Sequence, residues 1–125
     1  MRTVTDEDMR MFALLALEQL ALPQSRATFL DALSDENDTV RPIGLRGLFL
    51  IRDPQAICAA EDAYRTGNTV TKQVALFCLN RTATDDTIGS LQRLLDAEQS
   101  WRWRRAIKKA LRQARSKGPR PIWDK

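Results

Sequence analysis

The chain has 125 residues, 43% of them hydrophobic and 29% charged, with a formal net charge of +4 and no histidine. This is one domain's worth of sequence with apolar content enough to bury a core, and the missing histidine removes most metal-ligand sets and the Ser-His and Cys-His dyads. The longest apolar run, residues 11–17, falls far short of the roughly 20 residues that cross a bilayer, and the acidic start MRTVTDEDMR lacks a secretory apolar core, so a cytoplasmic protein with no membrane segment is expected.

Apolar spacing predicts seven helices, near residues 7–21, 24–34, 38–51, 54–65, 69–81, 86–97 and 101–115, in one all-α domain over 1–115. The first, third, fifth and seventh are copies of one another. Shifts of 31 residues superpose the first three, and a shift of 63 carries the second copy onto the last. In that register the first position reads Asp6, Asn37, Asn68 and Ser100, all residues that favour a helix N-cap. The fifth reads Arg10, Arg41, Lys72 and Arg104. Apolar or small residues follow at Phe12/Ala13, Ile43/Gly44, Val74/Ala75 and Ala106/Ile107, and again at Ala16/Leu17, Gly47/Leu48, Cys78/Leu79 and Ala110/Leu111.

The intervening helices begin Pro23-Gln24, Pro54-Gln55 and Asp85-Asp86, also 31 apart, and proline suits a helix's first turn because its missing N–H had no partner there. The unit is helix, turn, helix. One such hairpin cannot bury its own apolar face, so successive hairpins must stack. The column Leu14, Leu45, Leu76 ends in Lys108, as expected if it faces the next repeat and the last copy is a polar cap. One extra residue enters before Ser100. Residues 116–125, SKGPRPIWDK, are expected to form a non-helical basic tail.

Three stretches carry a family resemblance: Arg52-Asp53-Pro54-Gln55-Ala56-Ile57 opening a first helix, Asp38-Thr39-Val40-Arg41 opening a second, and Trp101-Arg102-Trp103-Arg104-Arg105-Ala106. The pattern resembles the HEAT-like repeats, in particular the short bacterial kind found in bilin-lyase-like proteins. It covers about residues 6–115 and departs most at Thr71-Lys72, where the family tends to Val-Arg. The resemblance implies a right-handed α-solenoid of HEAT-like hairpins whose second helices line the concave surface. It also implies binding of other proteins or, in some members, of nucleic acid or a tetrapyrrole.

The cation ladder Arg10, Arg41, Lys72, Arg104 is open to two readings. Each cation can bond an Asp or a turn carbonyl of a neighbouring repeat, as the family does, or the ladder can form a basic stripe for a partner. Arg46, Arg105, Lys108, Lys109 and Arg112 would widen that stripe. Charge is unevenly spread: residues 1–100 sum to −5 and residues 101–125 to +9, a pattern that points to an acidic protein or to nucleic acid. Phe49 and Leu50 share columns with polar residues, which suggests exposure and an apolar contact patch. Trp123 is a clasp or a recognition element. Cys58 and Cys78 sit in small-residue columns and are expected to be buried, reduced and inert. The carboxylate clusters Asp6-Glu7-Asp8, Asp35-Glu36-Asp38 and Asp85-Asp86 fall at helix starts, where negative charge opposes the dipole's positive end. The expected function is therefore non-enzymatic: an adaptor, scaffold or inhibitor that grips a partner protein with an acidic surface and needs no cofactor. The alternative is a nucleic-acid binder using the stripe and the last helix.

Overall fold

The computed structural model describes residues 6–20 and 23–122, with residues 6–8, 10, 17, 19 and 23 described by backbone alone. All the regular structure among them is helical: α1 (Asp6–Leu20), a 3-10 turn (Pro23–Ser25) running into α2 (Arg26–Ala32), α3 (Val40–Leu50), α4 (Ala56–Thr66), α5 (Thr69–Thr82), α6 (Asp85–Ala97) and α7 (Trp101–Lys117). Each predicted helix is present, with ends displaced by a few residues. No helix among the described residues is long and apolar enough to cross a membrane. The chain gathers into two compact units, Met1–Ala56 and Ile57–Lys125.

In the first unit α3 packs against both α1 and α2. Phe29, fully buried, enters the slot that Gly47 leaves on α3, and Ala32 lies against Gly44. A Cβ on Gly44 would come within 2.7 Å of the Ala32 Cβ, and one on Gly47 would collide with the Phe29 ring. The small-residue columns are therefore what let the two helices approach. Leu14, Val40, Ile43, Leu45 and Leu48 complete this core.

The second unit packs α5, α6 and α7 against one another around Leu76, Leu79, Leu91, Leu94, Ile107 and Leu111. Its α4 is fastened by side chains. Glu61 accepts from Ser90 and pairs with Arg93, and Tyr64 meets Trp103 edge-on with ring centroids 5.9 Å apart.

Helix ends recur in the same register. After α3 comes Arg52 at φ 55, and after α5 comes Ala83 at φ 47, 31 residues on. Arg52 N–H donates to Phe49 O at 3.1 Å and Asp53 N–H to Leu48 O at 3.0 Å, the paired 6→1 and 5→2 bonds of a Schellman stop. The next residue then starts the following helix. Asp53 Oδ1 accepts from Gln55 N–H at 2.9 Å, and Thr84 forms a capping box with Thr87.

The expected N-caps hold only in part. Asn68 accepts from Thr71 N–H at 3.0 Å. Asn37 instead closes a turn by accepting from Thr39 N–H at 2.9 Å, so α3 begins later, at Val40. Ser100 makes no side-chain cap; the turn ahead of α7 is held by Glu98, its Oε2 accepting from Gln99 N–H and Ser100 N–H, each at 3.1 Å. The non-helical tail also begins later than expected, because α7 runs through Lys117.

Candidate interaction surface

An α-helix leaves its last carbonyls without intrahelical partners, and the ladder cations answer that need. Arg41 Nη1 donates to Asp35 O, in the turn after α2, at 2.9 Å, and the same guanidinium pairs with Asp38. Lys72 Nζ donates to Tyr64 O in the last turn of α4 at 2.7 Å. Arg104 Nη1 donates to Leu95 O at 2.8 Å and Glu98 O at 3.0 Å, at the end of α6. A cation in the first turns of each second helix thus closes the C-terminus of the helix before it, where the dipole is also negative. The side chain of Arg10 lies outside the described residues. Arg120 repeats the device at the end of α5: its N–H donates to Arg81 O at 2.7 Å and its Nη2 to Asn80 O at 3.0 Å. This ties the tail to α5 at Arg120; Trp123 lies outside the described residues.

Tyr64 is the hub of the second unit. Its hydroxyl donates to Glu98, and Lys72 Nζ sits 4.2 Å from its ring centroid and 5.7 Å from that of Trp103. Burial, reinforced by Glu98, pushes the Tyr64 hydroxyl well above its ordinary value. Glu98 is held below the carboxylate range by that same hydroxyl and by the two backbone donors, against some burial. Burial raises Glu61, but the bonds from Ser90 and Arg93 outweigh it, so its carboxyl also lies low.

Two expectations of exposure and burial are corrected. Phe49 is only 7% exposed and Leu50 is half-buried. Two polar members of the Phe49 column do not mark solvent: Glu18 is fully buried with Arg46 Nη2 3.0 Å from its Oε1, and buried Asn80 donates to Gln113 at 2.8 Å. In these three copies the column is interior, and only in the last does it reach the surface, at Arg112. Cys58 is exposed, whereas Cys78 is buried. The column partners of Cys58, Ala27 and Gly89, are not buried either, so a small residue there reflects a tolerant surface.

The cations outside the ladder collect on α7, which holds eight Lys/Arg in WRWRRAIKKALRQARSK and no acid. Ile107, Ala110, Leu111 and Ala114 face inward. Arg102, Arg105, Lys108, Lys109, Arg112, Arg115 and Lys117 are exposed, and none of them pairs with a carboxylate among the described residues. Like charges three and four apart repel along a helix, and those in the first turns oppose the dipole. Against α6 this face opens into a cleft of about 480 Å³ lined by Gln92, Leu95, Lys108, Leu111, Arg112, Arg115 and Ser116. Leu95 and Leu111 make an apolar floor, at 9% and 4% exposure, beneath three cations. Trp101, 70% exposed, heads the same helix.

The structure thus places Lys108 and Arg112 together in the cleft, Arg105 on the same exposed helix, and Lys109 in a second, smaller groove with Phe77 and Trp103. Arg46 belongs to the first unit, where it is tied to Glu18. Arg102, Arg115, Gln92 and Leu95 were not anticipated as site residues, because a repeat register does not show which residues of two helices meet at a cleft. Neither a protein-family model, nor a curated protein, nor a solved structure matches the chain.

Proposed function

We propose that this protein is a non-enzymatic interaction module of the HEAT-like type, a right-handed solenoid that binds an acidic, amphipathic segment of a partner protein in the α6–α7 cleft. The observation that carries this is the pairing of an apolar floor, Leu95 and Leu111, with Lys108, Arg112 and Arg115 above it. A phosphate backbone has no use for an apolar floor; an amphipathic acidic segment uses both parts, burying apolar surface while its carboxylates meet cations that lack them. Support for the repeat type comes from the recurring αL stop at Arg52 and Ala83 and from the cation that closes each preceding helix.

Nucleic acid is the second reading, favoured by Trp101 beside Arg102 and Arg105, where a base could stack above a phosphate contact. Capture from native lysate, with and without nuclease, separates the two. The adaptor reading expects a protein retained after nuclease and lost with Lys108→Glu, Arg112→Glu and Arg115→Glu combined; loss on nuclease treatment alone would overturn it.

A further inference from the structure

We infer that the outer face of α1 is a self-association surface on which a second copy of this chain docks its own α1, antiparallel. Met9, Phe12, Ala13, Ala16 and Leu20 are all exposed, with Met9 at 60%, Phe12 at 55% and Leu20 at 62%. Their spacings place them on one stripe of a helix, and a contiguous apolar stripe on a surface marks a contact site.

The repeat register says what kind of contact. One period later these positions become Val40, Ile43, Gly44, Gly47 and Ile51, and on α3 that face receives α2. There Phe29 fills the slot at Gly47 and, a turn further along α2, Ala32 meets Gly44, so the two helices run antiparallel. On α1 the slot is Ala16 and its neighbour Ala13.

A two-fold pair needs a surface that is its own complement. This one is, because the same stripe carries both parts of the α2–α3 contact: a large ring, Phe12, and one turn on a small slot, Ala16. With two α1 helices antiparallel, Phe12 of each copy covers Ala16 of the other, and Met9 of each lies by Leu20 of the other. That orientation also sets the two acidic starts, Asp6-Glu7-Asp8, at opposite ends of the pair and opposes the helix dipoles. A parallel pair would bring six carboxylates together.

The test is sedimentation equilibrium of the full chain from micromolar to submillimolar concentration, with Ala16→Arg and Phe12→Ser alongside. The expected result is a mass rising with concentration from 14.2 kDa toward twice that value. Either substitution should hold it at the monomer with helicity unchanged. If Ala16→Arg alters helicity, Phe12→Ser is decisive, since it replaces an exposed ring. A monomer at every concentration overturns the proposal and leaves the face to a different chain; a dimer that survives both substitutions overturns it too.

Discussion

Lys72 Nζ lies 2.7 Å from the carbonyl oxygen of Tyr64 and 4.2 Å from the centroid of the same residue's ring. One ammonium thus satisfies a helix-end carbonyl and rests on the aromatic face that the helix presents. A hydrogen bond from a charged group contributes about 1.5–3 kcal/mol, and a partly exposed cation–π contact about 0.5–1 kcal/mol.

Lys72→Gln is therefore a stability variant. It should lower unfolding free energy by about 2 kcal/mol and leave the strength and salt dependence of partner binding unchanged. Denaturant unfolding read alongside a binding titration checks this. A normal stability with weakened binding would return the ladder to the partner surface.

Glu18 should give the first unit a pH dependence of unusual sign. Burial pushes its carboxyl up to about 7, with Arg46 pulling part of the way back. The folded pKa lies above the unfolded 4.5, so the folded state binds the extra proton. That contribution is whole below pH 4.5 and is lost as pH rises through 7. The loss is about 3 kcal/mol at most, and Glu18→Gln should abolish it. The low-lying Glu61 and Glu98 act the other way, their contribution present above pH 4.5 and lost below it. Denaturant midpoints at pH 5 and pH 8, wild type against Glu18→Gln, isolate the effect; a wild type equally stable at both would refute it.

The two thiols should separate cleanly. A thiol reagent should label exposed Cys58 at once and buried Cys78 only on unfolding. Cys78→Ala matches the Ala16 and Ala110 of its column and should be mild, while Cys78→Leu should overpack the core at a cost of about 1–3 kcal/mol. Equal labelling rates, or a harmless Cys78→Leu, would show that Cys78 is not at a tight contact.

Periodicity made the seven helices legible, because α3, α5 and α7 bury residues at the same positions of the register. Gly44 and Gly47 were legible as contact slots for the same reason. Phe49 was misread because polarity in its column was taken for exposure, and a sequence does not show that Glu18 and Asn80 are buried with Arg46 and Gln113. The sequence shows one extra residue before Ser100 and not its use; the structure puts Glu98 in that loop, bonding the backbone ahead of α7 and holding the Tyr64 hydroxyl. The ladder's two readings were open in the sequence, since reach to a carbonyl depends on the turn between helices. The α6–α7 cleft was illegible, because it depends on how two helices pack, which the repeat register does not show.

The most direct measurement is the salt dependence of nucleic-acid binding, with duplex DNA and single-stranded RNA as probes. A backbone-binding α7 would give log K falling against log salt by about 0.9 for each phosphate contacted on B-DNA, and each of Lys108→Gln, Arg112→Gln and Arg115→Gln would reduce the slope by about one. The adaptor account predicts weak binding to both probes that vanishes near physiological salt, while the nuclease-resistant protein partner stays bound and depends on the same three cations. Tight, salt-steep binding whose slope drops with each substitution would contradict it.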